Sequence, residues 1–273
     1  MKVGIIGTGN MGTVITQALI ESKALTPSSL YIYNRTVSKA AVLKESYPGV
    51  QLARNCGEVI NNCRLVFICV KPKDIYPLLA EYRNQFEESQ CVVSITSPVS
   101  TTQLESILPC SCARVIPSIT NRALAGVSLY TLGENCSSEW EERIIHLLRY
   151  FSHPVNISEE VTRVASDIVS CGPAFFSYLT RRFIEGAVKE TTIDEETATI
   201  LTTHMLIGLG DLLKKGFYTL PTLQEKVSVK GGITGEGIHV LERETGEMFE
   251  KLFRATHHKF DEDLAETSKQ FGV

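Results

Sequence analysis

Hydrophobic and polar positions divide the chain into two parts that differ in pattern. In the first part, short and continuously apolar runs alternate with amphipathic stretches of helical period. Continuously apolar runs are typical of strands covered on both faces, and their alternation with helices indicates βαβ units and a parallel sheet. The predicted strands are 3–6, 30–33, 65–70, 91–95, 113–116 and 127–132, and the predicted helices are 11–22, 37–47, 56–62, 74–86, 101–108 and 138–150.

The second part is helical in pattern from residue 158 to the end. Its helices are predicted at 159–189, 194–215, 221–228, 234–245 and 246–270. We therefore predict the α/β fold class with two domains, a sheet-based domain over 1–157 and an all-α domain over 158–273.

The two parts also differ in charge. Residues 1–157 carry 14 Lys and Arg against 12 Asp and Glu, whereas residues 158–273 carry 13 against 19, and the whole chain has a formal net charge of −4. An anionic cofactor is therefore expected on the first domain. A protein that coats phosphate backbones needs a basic surface, so this charge argues against a general nucleic-acid role.

Composition also limits where the protein works and which chemistry it holds. The longest clean apolar run, 65–70, is far shorter than the ~20 residues that span a bilayer, and glycines interrupt the N-terminal stretch before a signal peptide is complete. The 8 cysteines form no C-x-x-C pair, and the only histidine pair, His257 and His258, points to different faces of a helix. We expect a cytoplasmic protein with reduced thiols, no membrane contact and no metal site.

The strongest chemical signal is the glycine motif after the first predicted strand. Gly7, Gly9 and Gly12 have the G-x-G-x-x-G spacing, follow a strand and open a helix, as a dinucleotide-binding motif requires. In that motif the first glycine permits a tight turn, the second lets a pyrophosphate approach, and the third lets the helix pack on the strand. The alternative is a glycine-rich turn without a ligand.

The end of the second predicted strand indicates which cofactor binds. An NAD enzyme usually has Asp or Glu there, about 20 residues after the glycines, to bind the ribose 2′-hydroxyl. Here Asn34, Arg35 and Thr36 follow the strand, so no carboxylate repels a 2′-phosphate, and Arg35 can pair with it. The pattern favours NADPH over NADH. The alternative for Arg35 is an exposed arginine in a turn.

Further segments in the same chain order extend these motifs. They are Asn55, Val70-Lys71-Pro72, Ser94-Ile95, Gly172-Pro173-Ala174, Gly231-Gly232-Ile233-Thr234 and His239-Val240-Leu241-Glu242. Through them the chain resembles the pyrroline-5-carboxylate reductase family over essentially its whole length. It is most similar to the ComER-type branch, reductase-like proteins encoded with bacterial competence genes.

The resemblance implies an N-terminal Rossmann dinucleotide-binding domain followed by an all-α dimerisation domain. It also implies a homodimer or higher homo-oligomer, and the stretch 198–213, apolar on more than one face, agrees with helices that pack against a second copy. The residues predicted to bind the cofactor are Gly7, Thr8, Gly9, Asn10, Met11, Gly12, Asn34, Arg35, Thr36, Asn55, Val70, Lys71 and Pro72.

The family reduces the C=N bond of a five-membered cyclic imine, giving proline, with hydride from NAD(P)H. Because the imine nitrogen is readily protonated, catalysis can rest on positioning and electrostatic complementarity. By resemblance, Thr234 is the catalytic hydroxyl nearest the ring nitrogen, and the backbone amides around it hold the substrate carboxylate. The residues implied to bind substrate are Cys171, Gly172, Val229, Lys230, Gly231, Gly232, Ile233 and Thr234. The alternatives are a turn or cap for the two loop glycines, an N-cap for Thr234 and core packing for Cys171.

The sequence departs from the family pattern where substrate is expected. Val229-Lys230 replaces Ser-Pro, Val169-Ser170-Cys171 replaces Ser-Gly-Ser, the segment 116–120 replaces M-P-N-T-P, and Pro98 replaces a glycine. A second hypothesis is therefore an NADP(H)-binding paralogue of weakened activity with a regulatory role in competence or development. A third, a β-hydroxyacid dehydrogenase, needs a Lys and Asn pair that is missing after Gly172.

Overall fold

The computed structural model describes residues 1–272 and divides them into two compact units. The first unit contains Met1–Pro173 together with the segment that starts at Ala255, and the second contains Ala174–Arg254. None of the described helices combines the length and the hydropathy that crossing a membrane requires.

An eight-stranded sheet forms the centre of the first unit, in the order β3-β2-β1-β4-β5-β6-β7-β8. All neighbouring strands are parallel except β6 and β7. The strands are β1 (Val3–Ile6), β2 (Leu30–Tyr33), β3 (Gln51–Leu52), β4 (Leu65–Ile68), β5 (Cys91–Ser94), β6 (Ser111–Ile116), β7 (Val127–Leu132) and β8 (His153–Asn156). The parallel sheet that the continuously apolar runs predicted is thus confirmed.

Helices cover both faces of this sheet. They are α1 (Asn10–Glu21), α2 (Val37–Ser46), α3 (Cys56–Asn62), α4 (Pro72–Tyr82), α5 (Thr101–Glu105) and α6 (Ser138–Leu148). Alternate strand residues point to opposite faces, and two buried clusters result. Val3 and Ile5 of β1 lie in one cluster with residues of α1, α2 and α6, whereas Ile6 lies in the other with residues of α3, α4 and α5.

Strands β3 and β8 were not predicted, and the reason is their pattern. They are the two edge strands of the sheet, and neither contains an apolar run: β3 has two residues, and β8 reads His-Pro-Val-Asn. Edge strands bury little side-chain surface, so their sequence lacks the apolar pattern that predicts a strand. Residues 153–156, at the end of the predicted first domain, therefore belong to the sheet.

The single helix predicted over 159–189 is wrong as one continuous element. A 3₁₀ turn at Glu159–Val161 leads into α7 (Thr162–Ser166), a π-helical segment follows at Asp167–Cys171, and α8 (Gly172–Glu190) continues from there. The first unit keeps residues 158–173, whereas we predicted a boundary after residue 157.

The second unit is all-α, as predicted. It contains most of α8, then α9 (Glu195–Lys214), α10 (Leu220–Val227) and α11 (Ile233–Thr245), and the start of α12 (Met248–Phe271). Asp194 caps α9, because its Oδ1 accepts a hydrogen bond of 2.8 Å from the Thr197 N–H. The remainder of α12 belongs to the first unit, where the Phe271 ring meets the Tyr76 ring edge-on at 5.0 Å.

Candidate functional site

The glycine loop follows β1 directly, and two of its glycines are required by the chain itself. Gly7 has φ of +100°, a conformation that side chains disfavour. A Cβ on Gly7 would lie 2.5 Å from the carbonyl oxygen of Cys69, and a Cβ on Gly12 would lie 1.9 Å from that of Gly7. Both glycines therefore hold α1 and the turn after β4 close to β1.

Gly9 differs from its two neighbours in the motif. A Cβ on Gly9 would meet nothing within 4 Å, and its φ of −74° suits any residue. The described chain therefore gives no reason for glycine here, whereas close approach of a ligand to the backbone does. The open space beside Gly9 agrees with the pyrophosphate position of the motif.

Two more features of the loop fit an anionic group. The hydroxyl of Thr8 is buried without a hydrogen-bond partner in the structure, and a buried polar group without a partner calls for one. Helix α1 starts after Gly9 with no side-chain cap and no acidic residue in its first turn. Its first N–H groups and the positive end of its dipole are thus available to a phosphate.

Asn34 connects the glycine loop to the turn after β2. The Thr8 N–H donates to Asn34 Oδ1 at 2.9 Å, and Asn34 Nδ2 donates to the carbonyl oxygen of Thr36 at 2.9 Å. Asn34 therefore shapes the site from within. Arg35 is exposed, and no ion pair or hydrogen bond engages its side chain within residues 1–272. Its guanidinium remains available to a 2′-phosphate.

The turn after β4 lies against the same loop. A Cβ on Gly7 would be 3.1 Å from Val70 Cγ1, Lys71 is the exposed N-cap of α4, and Pro72 occupies its first turn. Asn55 caps α3, since its Oδ1 accepts from the Glu58 N–H at 2.8 Å, which leaves its side-chain amide free to donate.

The order of the strands also favours a ligand at this position. Because β1 lies between β2 and β4, the chain connections on either side of β1 run in opposite directions, and such a switch point is where open α/β sheets bind ligands.

Arg114, a buried arginine of β6 near the end of β5, was not predicted from the sequence. Arg114 donates to the carbonyl oxygen of Ser97 at 3.1 Å and to Thr162 Oγ1 at 2.7 Å, and it forms an ion pair of 2.9 Å with Glu159. Burial lowers the pKa of Arg114, and the charge of Glu159 opposes that shift. The available signal was a cation inside an otherwise apolar strand, which requires buried partners.

The π-helical segment before Gly172 holds a second polar group. Asp167 is buried, forms an ion pair of 2.9 Å with Arg163, and accepts from the Thr256 hydroxyl at 2.6 Å. Arg163 also donates to Cys171 Sγ at 3.5 Å. Burial raises the pKa of the Cys171 thiol, which favours the packing alternative over a nucleophile.

Two of the departures from the family pattern contact each other. Ser118 donates to the carbonyl oxygen of Val169 at 2.8 Å, and Ser170 donates to that of Pro117 at 2.7 Å. The altered residues after β6 and those before Gly172 are thus joined by a reciprocal pair of hydrogen bonds.

The segment implied to bind substrate forms the turn between α10 and α11 in the second unit. Gly231 has φ of +72°, and the Gly232 N–H donates to the carbonyl oxygen of Val229 at 2.8 Å. Gly232 is the N-cap of α11, and Thr234 is the second helical residue, so the N-cap alternative for Thr234 is wrong. Ile233 is 93% exposed and Val229 69% exposed. Lys230 is exposed in the same turn, whereas Cys171 and Gly172 belong to the first unit.

Within residues 1–272, no group of three or more His, Cys, Asp and Glu side chains is placed to hold a metal ion.

A parallel sheet with a glycine loop at its switch point, followed by an all-α unit, defines a Rossmann-type nucleotide-binding oxidoreductase. Residues 2–98 match the family model for coenzyme F420-dependent NADP oxidoreductases, which supports NADPH as cofactor. Residues 159–263 match the model for pyrroline-5-carboxylate reductase dimerisation. Both parts of the predicted fold class are thereby confirmed.

Whole-chain relatives identify the family. The chain is 51% identical over 273 residues to ComE operon protein 4 of Bacillus subtilis (strain 168), covering 100% of both chains. It is 30% identical over 270 residues to pyrroline-5-carboxylate reductase 3 of the same strain, covering 98% of this chain and 99% of that one. The protein therefore belongs to the pyrroline-5-carboxylate reductase family, and its predicted place in the competence-operon branch is confirmed.

Solved structures agree with the fold. Pyrroline carboxylate reductase of Plasmodium falciparum, with NADP bound, has a TM-score of 0.84 at 19% identity and covers 98% of both chains. The reductase of Coxiella burnetii has a TM-score of 0.82 at 22% identity, with the same coverage.

Proposed function

We propose that this protein is an NADPH-dependent reductase of cyclic imines that acts on pyrroline-5-carboxylate or a near relative. The observation that carries the proposal is the glycine loop, where Gly9 faces open space and the Thr8 hydroxyl is buried without a partner. The open space at Gly9 is what close approach of a pyrophosphate to the backbone requires, and the Thr8 hydroxyl lacks the partner that a buried polar group needs. Arg35 supports NADPH over NADH, because its free guanidinium can pair with the 2′-phosphate.

When bound, NADPH would supply the hydride for reduction of the imine carbon. The N–H groups of Asn10 to Gly12 at the N-terminus of α1 would hold its pyrophosphate, Arg35 would hold its 2′-phosphate, and Asn55 would donate toward its adenosine ribose. The turn at Val70-Lys71-Pro72 would border the cofactor with its backbone. These assignments agree with the gathering of the three strand ends around one loop.

Substrate recognition is assigned to the turn before α11. Its amides around Gly231 and Gly232 hold the substrate carboxylate, and the Thr234 hydroxyl hydrogen-bonds the ring nitrogen. Lys230 adds a positive charge that attracts the same carboxylate and compensates for the missing family serine. In the first unit, Cys171 at the end of the π-helical segment and Gly172 at the start of α8 are the further residues that the resemblance implies for substrate.

We also infer that two copies of the chain assemble through the second unit. The supporting observation is a set of large apolar side chains that are half or more exposed on α8 and α9. In addition, a Cβ on Gly186, Gly208 or Gly210 would meet nothing within 4 Å, although each helical glycine costs about 1 kcal/mol relative to alanine. The exposed apolar residues are Phe176, Tyr178, Phe183, Ile200, Leu201, Met205 and Ile207. Light scattering at micromolar concentration is expected to give the mass of a dimer or a multiple of it, and a monomer would contradict this.

The departures at Val229 and Lys230 support a second candidate. In it, the protein binds NADPH without turnover and acts in competence or development through a partner. The 51% identity to ComE operon protein 4 is compatible with either candidate.

Steady-state oxidation of NADPH, with and without pyrroline-5-carboxylate, distinguishes the two. Oxidation that depends on the imine and falls at least roughly tenfold in Thr234→Ala supports the reductase. NADPH binding without imine-dependent oxidation supports the second candidate and overturns the first.

Cofactor choice is tested by Arg35→Gln, with Arg149→Gln, an exposed arginine at the C-cap of α6, as the matched control. Loss of a charge-assisted contact of about 1.5–3 kcal/mol weakens NADPH binding roughly 10- to 100-fold. NADH binding stays unchanged, because NADH lacks the 2′-phosphate. Equal weakening for both cofactors would contradict the assignment.

A further inference from the structure

Four of the eight cysteines lie at the end of the sheet where β5 and β6 begin, opposite the end that carries the glycine loop. Cys91 is the first residue of β5, Cys110 immediately precedes β6, Cys112 is the second residue of β6, and Cys136 lies in the turn before α6. The glycine loop follows the last residue of β1, and β1, β4 and β5 are parallel. The first residues of these strands therefore lie at the opposite end of the sheet from the candidate cofactor site.

Backbone contacts hold Cys136 near Cys91. The Gly133 N–H donates to the carbonyl oxygen of Cys112 at 2.9 Å, and the Ser137 N–H donates to Ser111 Oγ at 3.3 Å. Ser111 is the direct cross-strand neighbour of Cys91. The turn is thus fixed on β6 at both its ends, and Cys136 packs against the buried cluster that contains Cys91.

The two thiols differ in the way that a reactive pair requires. Cys91 is fully buried, whereas Cys136 is half-buried. The neighbouring Cys91 thiol lowers the pKa of Cys136 below its ordinary value of 9.0. Burial raises the pKa of the other half-buried thiols, Cys69 and Cys171. Cys136 is the accessible thiol that ionises most easily of these three.

Cys110 and Cys112 form a less suitable pair. They are two residues apart at the start of one strand, which puts their Cα atoms about 6.6 Å apart, near the upper limit for a disulfide. Both are buried, and Cys112 Sγ is directed to the carbonyl oxygen of Cys110 at 3.5 Å. A surface depression of about 460 Å³ borders the group and is lined by Cys110, Asn135 and Ser137, among others. Cys136 does not line this depression, and small oxidants reach its thiol through its own partial exposure.

We propose that Cys136 and Cys91 are a peroxide-sensitive pair that closes reversibly to a disulfide. The Cys136 thiolate attacks one peroxide oxygen and breaks the O–O bond. With hydrogen peroxide, the sulfur is oxidised to a sulfenic acid, and the departing hydroxide takes up a proton to become water. The Cys91 thiol then forms the S–S bond and displaces the sulfenic hydroxyl as a second water. Two thiols and one hydrogen peroxide thus give one disulfide and two waters, with two electrons passed to the peroxide.

The disulfide ties the turn before α6 to β5. This end of the sheet is opposite the glycine loop, so oxidation leaves NADPH binding unchanged. The proposal is therefore independent of the proposed function. Dithiothreitol restores both thiols, since a disulfide is reduced by thiol exchange.

The test treats the full-length protein with one equivalent of hydrogen peroxide and maps its peptides by mass spectrometry without reduction. The expected product joins the Cys91 and Cys136 peptides with the loss of two hydrogen atoms. In Cys91→Ser, the sulfenic acid of Cys136 persists and is trapped by dimedone. Cys63→Ser, which removes a buried thiol outside the group, is the matched control and leaves the crosslink unchanged.

A measurement on the unaltered protein keeps the test valid if a variant fails to fold. Iodoacetamide labelling of the native protein, followed peptide by peptide as pH rises, is expected to modify Cys136 before Cys69 and Cys171. A Cys110–Cys112 crosslink instead of the proposed one, or labelling of Cys136 after the other two, would overturn the proposal.

Discussion

Gly9 and Gly12 belong to one motif, yet the structure assigns them different roles, and alanine substitutions separate these roles. Gly12→Ala places a methyl carbon 1.9 Å from a backbone oxygen. A backbone atom cannot turn aside as a flexible side chain can, so the helix must shift. We expect a loss of about 1–3 kcal/mol in the free energy of unfolding.

Gly9→Ala places its methyl group where nothing lies within 4 Å. Its φ of −74° is compatible with alanine, and restricting the unfolded chain adds about 0.4–1 kcal/mol of stability. The cost falls on binding, because the methyl group occupies the approach of the pyrophosphate. Loss of one or two charge-assisted hydrogen bonds, each about 1.5–3 kcal/mol, weakens NADPH binding at least roughly tenfold.

Urea unfolding without cofactor and calorimetric titration with NADPH measure the two effects separately. Gly9→Ala is expected to unfold at an equal or higher midpoint than the unaltered protein and to bind NADPH poorly. Gly12→Ala is expected to unfold at a lower midpoint. Normal NADPH affinity in Gly9→Ala would refute the assignment of that open space to a ligand.

Three further predictions concern stability. Glu159→Gln leaves the buried Arg114 cation without its counter-ion and is expected to cost about 3 kcal/mol in urea unfolding, the low end for a broken buried pair, because Arg114 keeps its hydrogen bonds to Ser97 and Thr162. Arg114→Met, the matched comparison, removes the buried cation itself and leaves Glu159 half exposed, so it should cost less than Glu159→Gln. Ser100→Ala removes the N-cap of α5 and should cost about 1 kcal/mol by the same measurement. Tyr47→Phe removes the hydrogen bond that most lowers the pKa of Glu21. The pKa of Glu21 is lower in the folded chain than its ordinary value of 4.5, so its carboxylate stabilises the fold at pH values above 4.5. The stability that Tyr47→Phe loses should therefore be lost in full at pH 7, and the loss should shrink as pH falls below that pKa. A loss of stability independent of pH would contradict this reasoning.

Strands buried on both faces could be predicted because burial leaves a pattern. The runs in β1, β2 and β7 end where predicted, whereas β4 and β5 end one or two residues earlier, at Ile68 and Ser94. Cys69 and Val70 are apolar because they pack beside the glycine loop. An apolar run therefore marks the residues that are buried, and the hydrogen-bonded strand is only part of that run.

The polar contacts of the site could not be predicted in the same way. Arg114 and Asp167 find their partners 45 and 89 residues away, in Glu159 and Thr256, and no local pattern encodes such a distance. Asn34 was predicted to contact the cofactor, and the structure shows its carbonyl oxygen engaged by the Thr8 N–H. The motif predicted the place, whereas the particular hydrogen bonds depend on the folded chain.

The division of the chain has a consequence for how the protein is made and dissected. The first unit needs the end of α12, where Thr267 donates to the carbonyl oxygen of Pro98 at 3.0 Å and Phe271 packs on Tyr76. A ribosome that has synthesised the whole sheet must therefore still add about a hundred residues before that unit is complete. Cutting the gene after Pro173 to express the nucleotide-binding half removes those contacts. A single polypeptide that joins 1–173 directly to 255–273 is the shorter form that keeps them.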